Sequence, residues 1–279
     1  MKILATFDID GTITDKHHEL SAEVIDYFSS LYSRGITLAF ITGRTFSWGY
    51  QVLRNLKIPY YFSVQNGAIT LKMPERKIVS KKYIDASVFS MMNAICHQEM
   101  SDYVVYSGYE GDDTCYYRAD KFDCTMLDYL KKRFVAIKED WQEVASFDDL
   151  PIKEFASVKC FGDRISAERI AKNIEQQLKL YAPVIRDPFS ADFFIVQATH
   201  PKVTKGEAVG ELKKILKDCE KVISAGDDVN DIPMLKAADV KVVMETAPEH
   251  MHCLADVVAP SARDNGIISG MNQALEFLK

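Results

Sequence analysis

Three polar turns in the chain each follow directly on an apolar run. Residues 3–7 (ILATF) deliver Asp8 and Asp10 onto Gly11, Thr12 and Thr14; residues 36–41 (ITLAFI) deliver Thr42, Gly43 and Arg44; residues 221–225 (KVISA) deliver Gly226, Asp227, Asp228, Val229, Asn230 and Asp231. Open parallel sheets bind ligands beyond the carboxyl ends of their strands, so the three turns are candidates for one rim. Asp8, Asp10, Asp227, Asp228 and Asp231 cannot all stay ionised near one point without a cation or a dense hydrogen-bond network. Mg²⁺ suits such hard oxygen ligands and commonly takes only one or two carboxylates besides waters and a phosphate oxygen. A carboxylate is also a nucleophile toward phosphorus. A second carboxylate two positions on can serve as general acid and then base. Lys205, just ahead of a helix, would add positive charge against phosphoryl oxygens as their charge develops.

The elements that must position these groups are legible as a βα alternation. After the first strand, apolar residues at Val24, Ile25, Phe28, Leu31 and Tyr32 predict a helix over 20–33, with Ser21 as N-cap and Gly35 ending it. Residues 36–41 form a continuous apolar strand of the kind covered on both faces. A further helix and a strand over 60–64 complete a βαβαβ pattern. The same grammar returns late in the chain. Thr204 and Glu207 have the spacing of a capping box, opening a helix whose Ala208, Val209, Leu212, Ile215 and Leu216 share a face. Strands over 221–225 and 240–244 follow, with Pro233 in the first turn of the helix between them. Both ends thus read as one doubly wound, Rossmann-like α/β domain, residues 1–82 with 197–279. Residues 83–196 have an α+β texture: short strands at 103–106, 115–118, 157–161 and 193–196, and a helix over 167–180. They are expected to be an inserted second domain.

DIDGT with a following Thr, ITGR, a Lys-Gly before a helix, and GDxxND occur in that order. Together they resemble the four motifs of the haloacid dehalogenase-like (HAD) phosphatases. The long interval between Gln65–Ala68 (QNGA) and Lys205 resembles the Cof-type subfamily, whose large cap is inserted between the second and third motifs. The resemblance implies a parallel-sheet HAD core with an α+β cap that carries substrate contacts. It implies Asp8 as nucleophile, Asp10 as general acid/base with its backbone carbonyl also on the metal, and Asp227 completing a Mg²⁺ site. Thr42 and Lys205 would hold the phosphoryl group, with Asn230 and Asp231 supporting Lys205, the metal or the substrate. Gly11 and Gly43 would let backbone N–H groups approach phosphate, and the Asn66-Gly67 turn would face the substrate. Asp228 fills a variable slot of GDxxND, and Asp227 is preferred as the ligand. Arg44 is open between binding phosphate and pairing with an acid on a neighbouring helix. The implied activity is hydrolysis of small phosphomonoesters, sugar phosphates first, through an aspartyl-phosphate. The alternatives are a phosphomutase or phosphotransferase of the same superfamily, and a non-catalytic phosphate-sensing protein.

The 279-residue length favours two domains, since single cores stop growing near 250–300 residues. With 47% hydrophobic and 27% charged residues the composition is that of a soluble globular chain. No apolar stretch approaches the roughly 20 residues of a membrane span, and the first residues read as a strand without a signal-peptide core. A cytoplasmic monomer or homodimer acting on a small phosphorylated metabolite is expected, without membrane. A net charge of −6 disfavours nucleic acid as a partner. The basic run 72–82 (KMPERKIVSKK) reads as a solvated hairpin face. The six cysteines form no C-x-x-C pair and are expected as reduced, mostly buried thiols. His17 and His18, just after the first acidic turn, read as solvated, with no second His cluster for zinc. The stretch from Trp48 to Phe62 reads as aromatic packing, and alternation makes about half of Tyr103, Tyr106, Tyr109, Tyr116 and Tyr117 core residues.

Overall fold

The structure, a computed structural model, describes residues 1–15, 19–187 and 189–278. His17 and His18 lie outside the described residues. The chain divides into two compact units, one of Met1–Arg44, Gly49–Lys81 and Thr204–Lys279, the other of Thr45–Trp48 and Lys82–Val203. No helix among the described residues is long and apolar enough to cross a membrane.

In the first unit, the described residues form an eight-stranded sheet in the order Val257–Ala259, Val240–Met244, Lys221–Gly226, Ile3–Phe7, Thr37–Ile41, Tyr60–Val64, Ile69–Met73, Lys77–Lys81. The first six run parallel. The last two add an antiparallel edge hairpin, which accounts for the basic 72–82 run. Strand alternation sends Phe7 and Phe40 to one face, where the Phe28 ring of helix Ala22–Ser33 packs 4.9 and 5.3 Å from them. Leu4, Ala39, Ile41 and Val222 take the other face against Ala208, Val209 and Leu212 of helix Lys205–Ile215. Helices therefore cover both faces of the parallel strands, which is why these strands are apolar throughout. Ser21 caps the first helix as expected, its hydroxyl accepting from the Val24 N–H.

The second unit is built on a six-stranded sheet, Val184–Arg186, Phe194–Ala198, Ser157–Gly162, Tyr103–Tyr106, Cys115–Tyr117, Trp141–Glu143. Its pairs are antiparallel except the last. One face packs on helices Phe89–Gln98 and Arg164–Asn173 through Phe89, Met92, Ile95, Ala167 and Ile170. The helix read over 167–180 thus starts earlier, at an Asp163 cap, and finishes in a wider turn over Ile174–Leu178. Helix Cys124–Ile137 covers part of the opposite face with Met126 and Leu130. Tyr103, Tyr106 and Tyr117 are buried, whereas Tyr109 and Tyr116 are half-buried. All six cysteines are free thiols, but only Cys96, Cys115 and Cys160 are buried.

Beside helix Cys124–Ile137 the second unit buries a group of charges. Arg133 lies 3.8 Å from Glu139 and 3.6 Å from Asp187. The Lys159 ammonium sits 4.2 Å from the centre of the Tyr106 ring. Burial, helped by Arg133 and opposed by Glu139 and Asp187, brings the Lys159 amine down to about 8. A folded-state value below the unfolded one means that the unfolded chain binds the extra proton between about pH 8 and 10.5, so this contribution to stability rises with pH in that window. Lys159→Met should therefore exceed the wild type in denaturant midpoint at pH 7, and its advantage should shrink by about 2 kcal/mol by pH 10. Taking the difference between the two proteins cancels the thiols and phenols that do not face Lys159, leaving Cys115 and Tyr106 beside it. A constant difference across that range would show that Lys159 stays protonated.

Candidate active site

The acids converge because their strands are neighbours in register. Phe7 pairs with Ala225 on one side and Phe40 on the other, so the residues that follow leave the same edge of the sheet side by side. The Asp8 N–H donates to the Ala225 carbonyl (3.0 Å) and the Thr42 N–H to the Ser63 carbonyl (2.9 Å), extending the pairing one residue past the strand ends. Alternation puts Asp8 on the face of Leu4 and Thr6, the face covered by helix Lys205–Ile215. Thr204 caps that helix, its Oγ1 accepting from the Glu207 N–H at 3.0 Å, and places Lys205 as the first helical residue.

Lys205 Nζ lies 2.5 Å from Asp8 Oδ1 and 2.5 Å from Asp231 Oδ1. All three side chains are buried, Asp231 completely. The other oxygen of Asp231 accepts from the backbone N–H groups of Asp227 (2.9 Å) and Asp228 (3.0 Å). Asp231 is therefore a bolt, tying the acidic turn to the lysine with both oxygens engaged. Asp228 Oδ1 is used inside the turn, accepting from the Val229 N–H at 2.7 Å, and Asn230 sits half-buried in the same turn. Asp227 is fixed from the first motif, its Oδ1 accepting from Thr12 Oγ1 at 2.7 Å. Gly11 makes this approach possible: its φ is +75°, and a Cβ there would lie 2.8 Å from Asp227 Cγ.

Among the described residues, Asp8, Asp227 and Asp231 each bring a carboxylate oxygen within 4.8 Å of the other two. Burial pushes the Asp8 carboxyl up to about 7 against the pull of Lys205, with Asp231 and Asp10 adding to the rise. Burial and then Asp8 raise Asp227 well above the usual carboxylate range. Burial alone would lower Lys205, but Asp231 and Asp8 outweigh it and hold the ammonium charged. One ammonium thus faces three clustered acids, Asp8 and Asp231 buried and Asp227 half-buried, a deficit of positive charge that a divalent cation would remove. The donor set fits a hard cation: every donor is oxygen, and with Asp231 engaged elsewhere, Asp8 and Asp227 are the carboxylates left to hold it.

Asp10 is directed differently. Its half-exposed carboxylate is gripped in two-pronged fashion by the buried Arg44 guanidinium, Nε to Oδ2 at 2.8 Å and Nη2 to Oδ1. Arg44 thus pairs with an acid of the first motif instead of one on a neighbouring helix. Thr42 is fully buried, its Oγ1 accepting from the Arg44 N–H at 3.1 Å, with half-buried Gly43 between them. Asn66 is buried, and its backbone N–H donates to the Thr42 carbonyl at 2.8 Å. Thr12 and Gln65 belong to this neighbourhood although neither stood out as a site residue. Thr12 was legible as the hydroxyl inside DIDGT, whereas Gln65 enters the sequence reading only as the first residue of the QNGA stretch.

Comparison with known proteins shows the family. The profile of the family described as haloacid dehalogenase-like hydrolase matches residues 5–271. Phosphatase YwpJ of Bacillus subtilis is 23% identical, the alignment covering 99% of this chain and 100% of that protein. A phosphoglycolate phosphatase of Methanopyrus kandleri is also 23% identical, over 99% and 98%. Among solved structures, a haloacid dehalogenase-like hydrolase from B. subtilis superposes with a TM-score of 0.77 at 24% identity, covering 96% of this chain and 98% of that one. One from Bacteroides thetaiotaomicron gives 0.78 at 18%, over 98% and 99%. With all the acids at one sheet edge and a family match along nearly the whole chain, the protein belongs to the haloacid dehalogenase-like hydrolases.

Proposed function

We propose that this hydrolase is a Mg²⁺-dependent phosphatase of small phosphomonoesters, sugar phosphates first, working through a phosphorylated Asp8. The observation that carries the reading is Lys205 Nζ bonded at once to Asp8 and to the fully engaged Asp231. An ammonium so held steadies the Asp8 oxygen and stands ready for the phosphoryl group beside it. The phosphatase names of the relatives support the reaction class.

In the proposed sequence an Asp8 carboxylate oxygen bonds to phosphorus while the ester P–O bond breaks, and Asp10 gives its proton to the departing alkoxide. Asp10 then takes a proton from water, whose oxygen bonds to the same phosphorus; the Asp8–phosphorus bond breaks and phosphate leaves. Arg44 fixes the direction of the Asp10 carboxyl during both halves. Thr42 and Lys205 hold the phosphoryl oxygens, helped by the backbone at Gly11 and Gly43, with Asn66 and Asn230 at the margin of the site. Mg²⁺ held by Asp8, Asp227 and the Asp10 carbonyl would neutralise charge on the phosphoryl group. The second unit is proposed as the cap that carries specificity.

The test is phosphate release across a panel of phosphorylated metabolites, with no acceptor alcohol added. Chelation should abolish turnover and Mg²⁺ restore it, and Mg²⁺ should also raise the thermal midpoint by relieving the acid cluster. Turnover that survives exhaustive chelation would overturn the metal assignment. Consumption of the ester only when an acceptor alcohol is present, with the phosphoryl group recovered on that alcohol instead of as free phosphate, would favour a phosphotransferase.

A further inference from the structure

Helix Phe46–Leu53 begins just after Arg44, with Thr45 between them. Thr45 has the type and position of a local N-cap. The Ser47 N–H nevertheless donates to Asp113 Oδ2 at 2.6 Å, 66 positions along the chain, while the Thr45 hydroxyl meets only Ser47 Oγ at 3.5 Å. Phe46 and Trp48 of the same turn pack on Tyr109 and Phe189, with ring centres 4.7 and 6.2 Å apart. Thr45–Trp48 belongs with these partners to the second unit, whereas Arg44 and the helix from Gly49 onward belong to the first.

Holding Asp113 in this place is costly. Asp112 and Asp113 follow one another with φ of 55° and 58°, two side-chain-bearing residues in the left-handed region, and such residues persist only when their surroundings fix them. The fixing is done by the loop itself: the Gly111 and Asp113 N–H groups both donate to the Gly108 carbonyl at 3.0 Å, and Ser107 Oγ donates to the Gly111 carbonyl at 3.0 Å. Asp113 is buried as well. A threonine cap already in place would serve the helix without this strain, so the needs of the helix alone do not explain the remote carboxylate.

What the tie adds is a fixed starting point for the helix. Arg44 is joined to that point through Thr45; its N–H donates to Thr42 Oγ1 at 3.1 Å, and its guanidinium grips both oxygens of Asp10. A first turn free to swing would carry Arg44 with it, and Asp10 would lose its direction.

We propose that Asp113 is a positioning residue for proton transfer: by capping helix Phe46–Leu53 it fixes Arg44, and through Arg44 the Asp10 carboxyl that protonates the departing alkoxide. The inference rests on the phosphatase reading with Asp10 as its acid, and adds to that machinery a residue outside the four motifs.

The test compares kcat/KM for n-propyl phosphate, whose alkoxide must be protonated, with that for p-nitrophenyl phosphate, whose phenolate departs without a proton. This ratio covers the steps up to cleavage of the ester and leaves out the later attack of water. Asp113→Gly removes the carboxylate and suits the positive φ, so it should fold with a thermal midpoint close to that of the wild type. It should lose about 10- to 100-fold on propyl phosphate, the scale of a small misplacement at the reacting centre, and less than about threefold on nitrophenyl phosphate. Ser47→Pro, which deletes the N–H at a first-turn position that tolerates proline, should show the same pattern. Asp113→Asn, whose amide oxygen can still accept from the Ser47 N–H, should stay within about threefold of the wild type on both esters. In an Arg44→Met background Asp113→Gly should cost nothing further on propyl phosphate, because the two residues act along one path. An equal loss on both esters, no loss on either, an Asn variant as impaired as the Gly variant, or a full further loss in the Arg44→Met background would overturn the proposal. A wild type that releases no phosphate from either ester would overturn the phosphatase reading, and the inference with it.

Discussion

Asp8→Asn should leave a folded protein that releases phosphate at least about 10⁴-fold more slowly than the wild type, since an amide cannot form the phosphorylated intermediate. The fold should survive because Asn keeps the shape and an oxygen that can accept from Lys205. Stability should in fact hold or increase at pH 7–8 without metal. The Asp8 carboxyl titrates near 7 in the folded chain, above its ordinary range near 4. Between those values the folded state holds a proton that the unfolded chain has released, so stability falls as pH rises through the window and the ionised acid is a burden above it. Asn carries no such burden. Thermal midpoints with and without Mg²⁺, alongside phosphate release, check both halves: midpoints should match or exceed the wild type without metal, while the gain on adding Mg²⁺ should be smaller. Hydrolysis at near wild-type rate by the Asn variant would remove Asp8 as nucleophile.

Lys205→Met should be the most damaging single change to stability as well as to turnover. Asp231 is completely buried, and its Oδ1 is bonded to this ammonium; Asp8 loses the same partner. Breaking a buried ion pair from one side costs about 3–5 kcal/mol, because the remaining charge is left uncompensated. That corresponds to a fall in thermal midpoint of about 10 °C for a unit of this size. The deficit should shrink on acidification, since a protonated carboxyl needs no counter-charge, and Lys205→Met with Asp231→Asn should recover part of it. Guanidinium unfolding at pH 5 and pH 8 measures both effects. A Lys205→Met protein with wild-type stability at pH 8 would show that the acids are compensated by other groups.

The parallel sheet and its acidic rim were legible because their signals are local. Apolar runs ending in Asp8, Thr42 and Gly226, the Ser21 cap and the Thr204 cap are each contained within a few residues. The capping box is only half made: Thr204 accepts from Glu207, while no return bond from the Glu207 side chain accompanies it. Helix Cys124–Ile137 is harder to see in the sequence, although Asp123 caps it and Met126, Leu130 and Ile137 recur at helical spacing; its charged middle, KKR, masks the apolar stripe. The pairing of Arg44 with Asp10 spans 34 positions and follows from which strands lie side by side, which spacing does not reveal. Gln65, legible only as the start of QNGA, takes no role in the sequence for a related reason: an amide is ordinary in a loop, and only its burial without a partner sets it apart.

The central strand Ile3–Phe7 has its two neighbours at very different distances along the chain, one beginning at Thr37 and the other at Lys221. As the polypeptide leaves the ribosome, one side of this strand can be matched almost at once, while the other remains an open row of backbone donors and acceptors until the late strand appears. Such an unmatched apolar edge invites pairing with other chains. The nascent protein therefore carries a sticky edge from the first of these strands until the one that begins at Lys221 has emerged, and Asp227 and Asp231 can join Asp8 only after that.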